Sequence, residues 1–428
     1  MKSKILENWI LNIGYWILAV AATALPAAAS SRFPQPDFET GYVVDKVPCA
    51  APDFAVSPLV DVLILAVALG IAALLVHRIR QRKWILFFGL ICLGWFGFIR
   101  NGCFCPIGSI QNVAIALFTG ARLPMAIALF FALPLIFALL FGRVFCSVVC
   151  PLGALQELFV VKPIRMPKAL DAVLRIVPLI VLSLGIVCAV NGAGFIICRT
   201  DPFVGLFRQT AALPMILTGM GVLLVGTVVA RPYCRYFCPY GVLLEICSRI
   251  AWKPIEITKG ECINCRLCVG MCPVDAIEAP RPAMSDRLRG HQFKQFFYLL
   301  VFLPLIVIVA GGIGYLSGSG VARLHPCVMM VDNWENAAEE DYDKYPAIEA
   351  FSRNGGTMEM AEQQAAVIID DFRTGTLWSG AFIGLILGLR LLVLSRLQGL
   401  KVHQASRSRC VACGRCFAVC PAVKNDDL

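Results

Sequence analysis

Charge is scarce in this chain. Only 15% of its 428 residues are Asp, Glu, Lys or Arg, against 58% hydrophobic ones, and the mean hydropathy is +0.75. A soluble globule needs more polar surface than this, so the composition predicts a polytopic membrane protein instead. Histidine is scarcer still, with four in all. His77, His291 and His403 fall at helix ends or tails and His325 in a connecting segment. None falls mid-span and there is no Cys-x-x-Cys-His, so no haem is expected. No Gly-rich phosphate loop or nucleophile constellation stands out. The net charge of +10 sits in short segments flanking apolar runs, where Lys and Arg set membrane orientation, and no nucleic-acid partner is read from it.

Cysteine, by contrast, is abundant, with twenty in the chain. Cys262-Ile-Asn-Cys265-Arg-Leu-Cys268-Val-Gly-Met-Cys272-Pro273 has the spacing of a bacterial ferredoxin run for a 4Fe-4S cluster, and Cys410, Cys413, Cys416, Cys420 and Pro421 repeat it. Zinc and disulfides are the bland alternatives, but zinc usually takes two separated pairs, and here the full four-cysteine spacing occurs twice. In two-cluster ferredoxins the fourth cysteine of each run serves the other run's cluster. Cys262, Cys265, Cys268 and Cys420 are therefore assigned to one cluster, and Cys410, Cys413, Cys416 and Cys272 to a second. The chain between Cys272 and Cys410 is a long excursion out of one small module.

Apolar runs lie near 9–29, 58–76, 84–102, 124–143, 173–191, 211–230, 296–316 and 376–395, each close to the roughly 20 residues a spanning helix needs. The first ends in Ala27, Ala28, Ala29 and Ser30, a candidate cleavage site, and is read as a retained anchor. The basic stretches 77–83, 162–175 and 231–294 are expected on the cytoplasmic side, which leaves 30–57, 103–122, 192–210 and the acidic 317–375 outside. Both termini and both ferredoxin runs then share the cytoplasmic side. The predicted fold is all-α and polytopic, with about eight transmembrane helices, an internal two-helix repeat and a small cytoplasmic two-cluster ferredoxin-like module. Its expected parts are an N-terminal hairpin (1–83), the repeated helix pairs (84–250), the first ferredoxin half (251–294), two further helices (295–395) and the second half (396–428).

The repeat aligns Gly142-Arg-Val-Phe-Cys146-Ser-Val-Val-Cys150-Pro151 with Ala230-Arg-Pro-Tyr-Cys234-Arg-Tyr-Phe-Cys238-Pro239, and a pseudo-twofold axis along the membrane normal follows from it. If helical, each Cys-x3-Cys pair shares one helix face. The axis then gathers Cys146, Cys150, Cys234 and Cys238 at the inner membrane surface, as many thiolates as one cluster takes. Cys103, Cys105 and Cys198 form a candidate outer-side centre. Cys92, Cys188 and Cys247 read as packed apolar residues, and Cys49 with Cys327 as a candidate disulfide. Glu157 and Glu245, at matching positions, are candidate proton relays, with water-facing interfacial carboxylates as the plainer reading. Asp61 reads as solvated. Thr374-Gly-Thr376 reads as a polar entry to the last helix rather than a flavin attachment sequence.

Two Cys-x3-Cys-Pro motifs followed by ferredoxin runs resemble the polyferredoxin membrane proteins, which include NapH-type quinol dehydrogenases, NosR-type proteins and CcoG-type copper reductases. The resemblance spans about residues 84–280 and 405–421. It implies a bacterial-type inner membrane and electron transfer between a cytoplasmic ferredoxin module and a quinone pool or periplasmic partner, inside a multi-subunit assembly. It implies one or two further iron–sulfur clusters in the membrane. A copper reductase of the CcoG kind and a redox-sensing regulator remain alternatives. Departures from NosR-type proteins are expected in the absence of a large flavin domain before the helices and in the displacement of the second run to the C-terminal side of two extra helices.

Overall fold

The computed structural model describes residues 58–100, 102, 106–161, 163–208, 213–257, 262–280, 286–336, 346–353, 355–395 and 402–422. The first apolar run, Cys49, Cys103 and Cys105 lie outside them. The chain is mostly helical. In order come α1 (Pro58–Leu74), α2 (Arg82–Cys92), α3 (Pro106–Thr119), α4 (Met125–Phe141), α5 (Pro151–Phe159), α6 (Lys168–Leu174), α7 (Val177–Val190), α8 (Ile196–Thr200), α9 (Pro202–Arg208), α10 (Leu213–Val228), α11 (Pro232–Tyr236) and α12 (Pro239–Arg249). After these follow α13 (Leu267–Met271), β1 (Ile277–Glu278), α14 (Asp286–Ala322), α15 (Pro326–Asn336), α16 (Pro346–Arg353), α17 (Met358–Ser395), β2 (Gln404–Ala405) and α18 (Arg415–Val419).

Among the described residues five helices are long and apolar enough to cross a membrane: Pro58–Ile79, Arg82–Ile99, Ala169–Val190, Lys294–Ala322 and Met358–Val393. The expected spans at 124–143 and 211–230 are present as the shorter apolar helices α4 and α10, of 17 and 16 residues, and α10 passes as a span together with α9, from which it is bent by 112°. Each stops where the chain turns into a Cys-x3-Cys-Pro segment. Gly142 and Arg231 adopt left-handed backbone there, with φ of 75° and 51°. The expected outer segments are not simple loops either. Residues 103–122 contain α3, 192–210 contain α8 and α9, and much of 317–375 is helical, because α14 and α17 run well past their apolar cores.

Helices α14 and α17 pack along their length through small residues. A Cβ on Gly314 would stand 2.2 Å from the Thr376 carbonyl oxygen, and one on Gly380 would stand 2.3 Å from that of Ala310. This is the small-residue contact by which membrane helices approach closely. Thr376 lies buried in that seam, donating to the Phe372 carbonyl at 2.7 Å.

The two ferredoxin runs meet as one module. β1 pairs antiparallel with β2, Ile277 opposite Ala405 and Glu278 opposite Gln404, and α13 packs on α18. Both runs wrap with left-handed residues at matching places, Asn264 and Arg266 in one, Ala412 and Gly414 in the other. Gly414 also sits close to the bundle: a Cβ there would come to 2.8 Å from the tip of the Ile85 side chain of α2. The second run therefore sits directly against the helix bundle.

Candidate iron–sulfur centres and their docking

Three sets of four cysteines each line one cavity. Cys262, Cys265, Cys268 and Cys420 surround the first, and Cys272, Cys410, Cys413 and Cys416 surround the second. These are the crossed sets that ferredoxin spacing predicts. Cys146, Cys150, Cys234 and Cys238 line a third cavity, inside the helix bundle. Its walls also include Phe96, Phe145, Phe207 and Tyr240, so these thiols meet in apolar surroundings.

The third set, expected at the inner membrane surface, lies inside the helix bundle and away from the module face. Along α2 and its continuation, Ile85 contacts Gly414 of the module, Gly89 lies against the Ser147 and Val148 carbonyls, and Gly97 lies against Pro151. Twelve residues of helix rise about 18 Å from the module face to Pro151. The second hairpin penetrates similarly: Lys253 donates to the Leu140 carbonyl of α4, and the Tyr240 hydroxyl donates to that of Phe131, a depth of about 14 Å. Both Cys-x3-Cys-Pro segments thus fold back into the bundle before α5 and α12 return to the module face. Nor do the cysteines of a pair share one helix face. Cys150 and Cys238 are extended N-cap residues with ψ of 118° and 111°, and Pro151 and Pro239 start the next helix, the position that tolerates a missing N–H. A helix N-terminus at each inner cysteine favours negative charge in the cavity.

The two repeats reach across to one another. Arg231 of the second donates through Nη1 to the Cys146 carbonyl at 3.1 Å and through Nε to Glu157 of the first at 3.0 Å. Gln156 of the first donates to Cys234 Sγ at 3.3 Å and accepts from the Tyr233 backbone N–H. Arg143, matching Arg231 in the repeat, lies 3.9 Å from Cys146 Sγ and beside Gly241 of the second repeat. Gly153 cannot carry a side chain, since its Cβ would stand 1.8 Å from the Cys146 carbonyl oxygen.

Glu157 does not face water. It is 4% exposed and meets Arg231 at 3.0 Å, Arg415 at 2.8 Å and Arg82 at 3.5 Å. Burial alone would raise its pKa, but the three guanidiniums outweigh burial and hold the carboxyl below the usual range. Glu245 is half-buried between Arg249 at 2.9 Å and Arg390 at 3.5 Å. There too burial opposes ionisation and the surrounding arginines win, lowering the pKa. Carboxylates held ionised in this way tie elements together and are poor carriers of a proton. Asp61 is likewise not solvated: it is buried against Arg100.

Sequence reasoning missed the arginines. Arg143 and Arg231 each stand three residues before the first cysteine of their pair, and that repeated position was the available signal. Arg415 joins the second ferredoxin run to the bundle through Glu157. The same run is held by Arg143 donating to the Ser408 carbonyl at 3.1 Å and by Ser147 donating to that of Ala412 at 3.0 Å. Ser147 follows Cys146, and Ala412 precedes Cys413, so one hydrogen bond separates the backbone of the second set from that of the third.

Of the candidate outer-side set, Cys198 lies beside Gly108 in the first turn of α3. Cys92 and Cys188 are buried in the apolar core, and Cys247 packs against it half-buried.

The donor chemistry of the module suits iron–sulfur clusters. Without a metal, burial pushes the Cys410 thiol up to about 12, so a metal is what would hold it as a thiolate. His403 Nε2 is buried beside the first cavity with no hydrogen-bond partner among the described residues, and a cluster sulfide is a partner it lacks. Among the described residues no group of three or more His, Cys, Asp or Glu is placed to hold a single metal ion, whereas a cubane spreads its ligands around a larger centre.

Comparison with known proteins agrees with these sites. A 4Fe-4S binding domain family matches residues 123–165 and 211–255, the two Cys-x3-Cys-Pro hairpins with the helices leading into them. A second family of the same description matches 255–278, the first ferredoxin run. The chain is 30% identical to protein NirI of Paracoccus denitrificans over 60% of its length and 41% of that protein's. It is 29% identical to the putative electron transport protein YccM of Escherichia coli, over 39% of its length and 52% of YccM. It is 30% identical to the regulatory protein NosR of Pseudomonas aeruginosa, over 46% of its length and 30% of NosR. In each case it spans less than two thirds of the relative. No solved structure matches it. Its 4Fe-4S binding domains and apolar helices make it a transmembrane iron–sulfur protein, similar to the polyferredoxin membrane proteins among which these relatives fall.

Proposed function

We propose that the chain conducts electrons between a cytoplasmic ferredoxin module and a cluster buried in the membrane, and from there to a quinone or a periplasmic partner. The observation that carries this reading is the succession of three four-cysteine cavities. The first is the outermost, with Cys265 exposed. The second is pressed against the bundle, and the third lies within it, joined to the second through Ser147 and Ala412. Tunnelling falls steeply with distance, so a module at one face needs such a relay to reach the interior.

When bound, 4Fe-4S clusters supply one-electron redox chemistry. Cys262, Cys265, Cys268 and Cys420 would hold the first, Cys272, Cys410, Cys413 and Cys416 the second, and Cys146, Cys150, Cys234 and Cys238 the third. The protein's own residues fix the spacing and the local charge. Arg143 beside Cys146 and Gln156 donating to Cys234 stabilise negative charge on sulfur. Basic segments around the module support its placement on the cytoplasmic side of a bacterial-type inner membrane, with both termini inside. The exposed first site suits a soluble cytoplasmic redox partner.

Iron and acid-labile sulfide per chain test the reading after anaerobic purification. About twelve iron are expected, falling to about eight when Cys146, Cys150, Cys234 and Cys238 are changed to Ser. About eight in both proteins would remove the buried cluster and with it the relay.

A further inference from the structure

Beside the third cysteine set, and sharing Cys234 and Cys238 with it, lies a further cavity in whose walls arginine is the commonest residue and Glu245 the one carboxylate. Arg143, Arg175, Arg231, Arg235, Arg390 and Arg409 line it, from the first repeat, the start of α7, the second hairpin, the last long helix and the C-terminal run. The carboxylates nearby are already shared. Glu157 is divided among Arg82, Arg231 and Arg415. Asp171 meets Arg175 at 2.9 Å and Arg235 at 2.6 Å. Glu245 meets Arg249 and Arg390. Among the described residues Arg143 forms no ion pair with a carboxylate, Glu245 on the same cavity acting on it only from longer range. Arg143 is 7% exposed, and its Nε and that of Arg235 are buried with no hydrogen-bond partner among the described residues.

Anionic clusters in the neighbouring sets account for part of this excess, since Arg143 touches Cys146. They do not account for Arg175 and Arg390. Arg390 donates to the Arg175 carbonyl at 3.5 Å, and the charges acting on it are Glu245, Arg249 and Arg175. Both arginines line this one cavity with one carboxylate each, and those carboxylates are themselves shared. Arg390 lies near the module end of a membrane helix, the level at which lipid headgroups sit, and basic cavities between helices at that level hold phosphate headgroups.

We propose that this arginine-lined cavity binds a phosphate-bearing anion. Guanidinium pairs take phosphate oxygens with two parallel hydrogen bonds, and the free Nε donors are the groups such a ligand would satisfy. The phosphate comes from a lipid headgroup or from free phosphate.

The test uses the full chain with its clusters. Native mass spectrometry, after extraction from bilayers of phosphatidylcholine mixed with phosphatidylglycerol, counts retained lipid. Calorimetric titration of inorganic phosphate, in neutral detergent, measures the free anion. Retention of phosphatidylglycerol over phosphatidylcholine by about tenfold or more, lost in the R175Q/R390Q double variant, assigns the headgroup. Phosphate binding without lipid retention, lost in the same variant, assigns the free anion. Should the double variant fail to fold, R409Q on the C-terminal run serves in its place, with iron content as the check on folding. Neither ligand bound by the wild-type chain, or binding unchanged in these variants, overturns the proposal. The readout is phosphate and not iron, so it stands or falls apart from the electron relay.

Discussion

At the residue scale, function rests on charge placed around sulfur. Glu157 joins Arg82 of a spanning helix, Arg231 of the second repeat and Arg415 of the ferredoxin module. Removing one partner from a buried ionic cluster strands the others, which costs about 3–5 kcal/mol. Glu157→Gln should therefore loosen the module from the bundle, seen as faster hydrogen exchange over residues 402–422, and unchanged exchange there would show that the ion pairs are idle. The pH dependence follows from the lowered pKa. A carboxyl depressed in the folded state stabilises fully above its unfolded pKa, and that contribution fades as pH falls through the folded one. Docking should hold from neutral pH through mild acid, then weaken below the ordinary carboxylate range, and E157Q should abolish that acid limb. Gly153 gives a sharper contrast. Its Cβ would strike the Cys146 carbonyl at 1.8 Å, whereas one on Gly241, its repeat mate, would meet the nearest atom at an ordinary 3.4 Å. Gly153→Ala should lose the iron of the third set while the module's EPR signals persist, and Gly241→Ala should keep it; equal iron in the two variants would contradict the geometry. The grouping of the cysteines around three cavities was legible in the sequence because their spacing repeats. The arginines were not, since an arginine beside an apolar run reads first as an orientation signal, and only the packed structure shows that Arg231 is 1% exposed.

At the element scale, hydropathy locates helices better than it locates their ends. Runs at 296–316 and 376–395 mark only the middle of α14 and the C-terminal half of α17, whose polar extensions continue as helix by packing on each other and on α15. The hairpins were harder to foresee. A Cys-x3-Cys-Pro stretch next to an apolar run reads as the end of that helix, yet the chain reverses at Gly142 and Arg231 and carries the cysteines back inside. Periodicity cannot report this reversal, because the segments are short and their burial comes from the opposite repeat. The α14–α17 seam is testable on its own. Gly380→Ile introduces atoms where Ala310 leaves no room and should destabilise the hairpin by about 1–3 kcal/mol. Gly312→Ala, with nothing within 4 Å of its Cβ, should leave thermal unfolding unmoved. Comparable losses from both would mean that the two helices do not pack through this stripe.

At the scale of the whole molecule, the ferredoxin module is one site built from two distant stretches, with a helical hairpin inserted between them. Spacing alone suggested the crossed assignment, and the cavities group the same cysteines: Cys420 with the first run and Cys272 with the second. The β1–β2 pair and the Ser406 N–H donating to the Ala276 carbonyl at 2.7 Å hold the halves in register. Crossed ligation would make the module cooperative, because each cluster would then need ligands from both sides of the insertion. Cys420→Ser should therefore alter the EPR signal of the cluster held by Cys262, Cys265 and Cys268, and Cys272→Ser that of the other. The opposite pattern would mean that each run closes its own cluster. Deleting residues 396–428 makes the same argument in iron: crossed sharing predicts a loss near eight per chain, since the first run keeps three ligands of one cluster and a single ligand of the other, while self-contained runs predict a loss near four. Arg415 and Gly414 leave with the same segment, so the buried third set would lose its nearest electron partner even where its own four cysteines remain.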